Sequence, residues 1–98
     1  MILIITHNNS DFDSLASVYF LSKLYKDSFI LKPISFEEEV ASYIKSSSLK
    51  FPFIEKIIPD KIELVIFADY PKNNEILKKY DLTNKKITVY DHHSSNKY

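Results

Sequence analysis

Leu64-Val65-Ile66-Phe67-Ala68 is an unbroken apolar run, and Asp69 follows it at once. Five such residues suit a strand buried on both faces, as in a parallel sheet covered by helices. Two other runs repeat the design. Ile2-Leu3-Ile4-Ile5 leads through Thr6 to His7, Asp11 and Asp13, and Ile87-Thr88-Val89-Tyr90 leads into Asp91-His92-His93. Strands that all deliver carboxylates or imidazoles at the same end predict one site, because ligands of an open α/β sheet collect in the crevice outside the strands' carboxyl ends. The candidate donors are oxygen and nitrogen only, which suits Mn, Mg, Zn or Fe and argues against Cu(I) or an iron–sulfur cluster.

The segments between these runs fill in an α/β order. Met1 to Thr6 is the first strand. A helix is predicted from about Asp13 to Tyr25, where Leu15, Val18, Leu21 and Leu24 recur at helical spacing and Ala16 and Tyr19 widen the stripe. Phe29-Ile30-Leu31 reads as a second strand closed by Pro33. Ser35-Phe36-Glu37-Glu38 has the capping-box pattern and opens a helix to about Lys45. Phe51-Pro52-Phe53-Ile54 reads as a packed connector, and Asn73 to Tyr80 as a short helix before the strand Ile87 to Tyr90. The order β-α-β-α-β-α-β implies an α/β fold, a mostly parallel sheet of about four strands joined by right-handed helical crossovers.

Composition removes several classes of function. Ninety-eight residues make one domain at most, small for a complete hydrolase. The chain has no Cys, so any metal must sit on His and carboxylate. It also has no Gly, where about seven are usual, which excludes the Gly-rich phosphate loops. Basic and acidic residues balance at 13 each, so this segment alone is not a strong clamp for a long nucleic acid, although nucleotides and short oligonucleotides stay open as substrates. No apolar run is long enough to span a membrane, and Met1–Ile5 lacks the basic flank of a signal peptide. A cytoplasmic protein is expected.

Each candidate ligand has a structural alternative. A helix N-terminus attracts carboxylates, so Asp11 or Asp13 is open to a capping role, but a cap uses one Asp and leaves the other and His7 to be accounted for. Asp69 precedes Tyr70-Pro71, so it either serves that turn or binds cations, and from a central strand end it could be shared between two of them. Adjacent His92 and His93 point in different directions after a strand, one to ligate and one to reach substrate, with Asp91 able to orient an imidazole. All three His of the chain fall in this set.

These motifs resemble the DHH phosphoesterase superfamily, which includes the RecJ-like exonucleases, oligoribonucleases, cyclic-dinucleotide phosphodiesterases and manganese inorganic pyrophosphatases. The family's first motif, His-x-Asn-Pro-Asp-x-Asp-x-x-x-Ser, corresponds to His7-Asn8-Asn9-Ser10-Asp11-Phe12-Asp13-Ser14-Leu15-Ala16-Ser17, with Ser10 in place of Pro. Asp69 is the second motif and Asp91-His92-His93 the third. Asp11 to Ser17, Lys23-Leu24-Tyr25 and Leu49 to Glu55 further resemble the DHH module that precedes CBS and polymerase domains in bacterial tRNA nucleotidyltransferase/poly(A) polymerase-like proteins.

The resemblance implies two Mn²⁺ ions, with Mg²⁺ as the substitute. His7, Asp11 and Asp69 would hold one, and Asp13, Asp69 and His92 the other, with Asp69 bridging. His93 would contact the substrate phosphate as a catalytic residue, and Asp91 would support it from behind. It implies hydrolysis of a phosphodiester or phosphomonoester in a nucleotide or short oligonucleotide by a metal-activated hydroxide. RNA would be reached through fused domains and no membrane would be involved. Residues 1–98 are then expected to be the N-terminal portion of the domain, without a further Asp ligand of the second ion and without the C-terminal substrate-binding domain. Two rivals stand beside this reading. One is a non-catalytic metal- or nucleotide-binding regulatory module. The other is a response-regulator-like Mg²⁺ domain, which the histidines disfavour because Mg²⁺ prefers oxygen ligands.

Overall fold

The computed structural model describes residues 1–90. Five strands, β1 (Ile2–Ile5), β2 (Ser28–Leu31), β3 (Phe53–Ile54), β4 (Leu64–Ala68) and β5 (Lys86–Tyr90), form one sheet in the order β3-β2-β1-β4-β5. Every pairing is parallel. Helices α1 (Phe12–Leu24), α2 (Glu38–Ser46) and α3 (Asn74–Lys79) supply crossovers, and a 3-10 turn at Pro59–Lys61 precedes β4. No helix among the described residues is long and apolar enough to cross a membrane.

The central strands are apolar throughout because both faces are covered. Ile4, Ile66 and Ala68 point to one side, where Leu15, Val18 and Leu21 of α1 and Val40 of α2 pack on them. Leu3, Ile5, Val65 and Phe67 point to the other, against Ile62, Leu77 and Leu82. Alternate residues thus feed two separate cores, as the period of two along a strand requires.

Two elements differ from their sequence reading. Phe53–Ile54 is a strand and not a connector: Ile30 N–H donates to Pro52 O at 2.8 Å and Lys32 N–H to Ile54 O at 2.9 Å. Two residues at a sheet edge carry no readable period, and Pro52 contributes only its carbonyl there. Leu24 is the second case, 58% exposed although it continues the spacing of Leu15, Val18 and Leu21. Steps of three fall short of the 3.6-residue turn, so the row drifts by about 180° between Leu15 and Leu24.

Without glycine, the left-handed backbone positions fall to Asn9, Asp27, Asp69 and Asp81, with φ between 54° and 57°. Asn and Asp are the non-glycine residues that tolerate this region best. At the end of α3, Asp81 N–H donates to Lys78 O at 3.2 Å and Leu82 N–H to Leu77 O at 2.7 Å. That is the Schellman pattern, with Leu82 and Leu77 buried together. Replacing Asp81 by Gly is expected to raise stability by up to about 1 kcal/mol, and by Val to lower it by about 1–2 kcal/mol. Urea denaturation midpoints read both changes.

Candidate metal centre

The strand order reverses direction between β1 and β4. From β1 the chain crosses to β2 on one side, and from β4 it crosses to β5 on the other. Such a switch point opens a crevice at the carboxyl ends of the strands. Ile5 pairs with Phe67 at the end of the ladder, and His7 and Asp69 each stand two residues beyond. His7 Nε2 lies 3.9 Å from Asp69 Oδ2.

The loop carrying His7 is tied to the loop before α2. Ile34 N–H donates to Asn8 Oδ1 at 3.0 Å and Asn9 N–H to Ser35 Oγ at 3.0 Å. Ser10 N–H donates to Ser35 O at 3.2 Å, and Glu37 N–H to Ser10 O at 3.0 Å. Ser35 therefore does not form the expected capping box; α2 begins at Glu38, and Glu37 at its N-cap makes no side-chain cap. The Ser35 hydroxyl is spent on the site loop instead. Ser10 uses an N–H that Pro, its counterpart in the resembled motif, does not have.

Asp11 resolves the capping alternative. Its Oδ1 accepts from Ser14 N–H at 2.9 Å and it is the N-cap of α1. Hydrogen bonding from the Ser14 N–H, then from its hydroxyl, and the facing His7 hold the Asp11 carboxyl below its ordinary value of 3.8, against the opposing effect of burial. Asp69 is almost wholly buried, with a left-handed backbone, and its N–H donates to Tyr90 O at 2.6 Å. A buried carboxylate in a costly backbone setting at a strand end is the kind of feature that function retains.

Ser14 completes the group. Fully buried, it donates through Oγ to Asp69 Oδ2 at 3.0 Å and also contacts His7 Nε2. His7 Nδ1 lies 2.9 Å from Asn8 O. A carbonyl can only accept, so Nδ1 carries a proton, and in the neutral ring Nε2 turns its lone pair to the cluster. One residue earlier, Thr6 Oγ1 is buried with no hydrogen-bond partner among the described residues.

A donor set of one imidazole and two carboxylates fits a divalent cation. Ligand atoms of His7, Asp11 and Asp69 lie within 4.8 Å of one another. Donors about 2.0–2.2 Å from a common ion stand at most about 4.4 Å apart, so small side-chain rotations close the group on one. Of the other predicted ligands, Asp13 is exposed in the first turn of α1 and outside this group, lining a cavity of about 410 Å³ with Ala16, Phe20 and Tyr90. Asp91, His92 and His93 lie outside the described residues. Sequence reasoning passed over Ser14 as an ordinary helix residue; its signal was a polar side chain in line with the buried Val18 and Leu21.

The pattern described as the DHH family, N-terminal domain, matches residues 1–98. The chain belongs to the DHH family. It is 36% identical over 91 residues to an A-adding tRNA nucleotidyltransferase of Aquifex aeolicus (strain VF5), a match covering 93% of this DHH chain and 11% of that protein. The chain thus spans about a tenth of the length of this curated relative. No solved structure matches it. DHH domains depend on metals, and the His7, Asp11 and Asp69 group of this DHH chain is a set that could hold one.

The cap role of Asp11 can be tested by itself. Asp11→Ala is expected to cost about 0.5–2 kcal/mol of stability, and Asp11→Asn, which still accepts from Ser14 N–H, less. Since the folded pKa is lowered, the wild-type margin over Asn holds above 3.8 and fades as pH falls through the lowered value. Urea midpoints of both variants between neutral and acid pH test this.

Proposed function

We propose that this chain is the metal-binding part of a phosphoesterase that hydrolyses phosphodiester or phosphomonoester bonds in nucleotides or short oligonucleotides. The convergence of His7, Asp11 and Asp69 at the β1/β4 switch point carries the proposal. A divalent ion held there supplies Lewis acidity toward a phosphoryl oxygen and toward water. The mixed imidazole and carboxylate set favours Mn²⁺ over Mg²⁺.

In this proposal His7 gives Nε2, with its tautomer fixed by the Nδ1 contact to Asn8 O. Asp11 gives a carboxylate kept ionised by its hydrogen bonds. Asp69, between the two flanks of the sheet, would be the carboxylate shared with a second ion, which Asp13 and His92 would help to hold. His93 would meet the substrate phosphate and Asp91 would steady an imidazole, roles taken from the family motif. Residues 1–98 would form the N-terminal portion of the DHH domain, with substrate choice resting on a C-terminal substrate-binding domain. The compartment would be the cytoplasm. With no Gly-rich phosphate loop in these 98 residues, the phosphate would be held by metals, side chains and helix N-termini.

The likeness to an A-adding tRNA nucleotidyltransferase favours a second reading, a metal- or nucleotide-binding module that serves a neighbouring polymerase without turnover. Turnover separates the two. The intact protein with Mn²⁺ is expected to hydrolyse a short labelled oligonucleotide or bis(p-nitrophenyl) phosphate. Asp69→Ala should lower kcat/KM by about 10²–10³-fold, the effect of losing a few kcal/mol of Lewis-acid stabilisation. Turnover that survives in Asp69→Ala would place the chemistry elsewhere, and binding without turnover would favour the module.

A further inference from the structure

Resting on that metal-centre reading, we propose that Ser14 is the positioning residue of the centre, its N–H setting the Asp11 carboxylate and its buried hydroxyl the Asp69 carboxylate for an ion shared with His7. The three candidate ligands arrive on two pieces of chain, the β1–α1 loop and the end of β4. His7 comes on the loop after β1, Asp11 at the N-cap of α1, and Asp69 at the end of β4. Ser14 touches all three. Its N–H donates to Asp11 Oδ1 at 2.9 Å, and its hydroxyl meets Asp69 Oδ2 at 3.0 Å and His7 Nε2.

This placement follows from the helix. With Asp11 as cap, the N–H of the residue three positions on is the one that turns back to the cap. The same residue lies on the buried side of α1, in line with Val18 and Leu21, so its side chain points at the sheet end where Asp69 emerges. Ser14 is fully buried, and its hydroxyl offers both a hydrogen and lone pairs there. Once the lone pair of Nε2 is given to an ion, the one hydrogen of Ser14 goes to Asp69 and fixes the plane of its carboxylate. Partners of this sort orient metal ligands, and their loss typically lowers metal affinity about 10–100-fold.

The test follows Mn²⁺ binding to the intact protein, read as the free-ion EPR signal that Asp69→Ala alters, with the visible spectrum of bound Co²⁺ as a second signature. Ser14→Ala is expected to weaken that binding by about 10–100-fold and to change the Co²⁺ spectrum, with a urea midpoint near that of wild type. Ser14→Thr, which returns the hydroxyl, should recover most of the affinity. Unchanged affinity and spectrum in Ser14→Ala would overturn the positioning role. If Ser14→Ala does not fold, Ser14→Cys replaces it, because a thiol is a weaker donor of similar size. Weakened binding would then support the role and wild-type binding would overturn it. Wild type without Asp69-dependent Mn²⁺ binding would overturn the metal reading itself, and this inference with it.

Discussion

The parallel pairing of β1 with β4 is the constraint on which the rest of the molecule depends. Leu3, Ile4, Val65, Ile66 and Phe67 are all fully buried, each contributing on the order of 1.5–3 kcal/mol by leaving water. Because both faces of these strands are covered, a slip of one residue would exchange the side chains of the two cores. The same slip would part His7 from Asp69. Packing far from the polar residues therefore sets the distance between them, and the site inherits the rigidity of the sheet.

Around that pair, the chain solves its loop geometry without glycine. Asn9 and Asp69, two of the four left-handed positions, lie at the site. Asn8, Asn9 and Ser10 are held by the segment from Ile34 to Glu37, so the site loop leans on the crossover into α2. Polar side chains that would cap helices elsewhere are used to brace this loop, as Ser35 shows.

Much of this was legible in the sequence. Long apolar runs ending in His7 and Asp69 announced buried parallel strands and a common site, because burial on both faces erases alternation and leaves ligands only at the ends. The helix after Asp11 was legible from its spacing, although the row of threes carried Leu24 off the buried side. What stayed hidden had weak local signals. β3 is too short for a period, Ser35 found a partner distant in sequence, and Ser14 looked like any helix serine until α1 packed on the sheet. The His7, Asp11 and Asp69 cluster is the group expected for the first ion, while the second group expected for Asp13 includes His92, which lies outside the described residues.

The metal centre proposed at the β1/β4 switch point is open to a direct test. Calorimetric titration of the intact protein with Mn²⁺, alongside a His7→Ala variant shown to be folded by circular dichroism, tests it most directly. The wild type is expected to show a binding event that disappears in His7→Ala. Equal Mn²⁺ binding by the two folded proteins would contradict it.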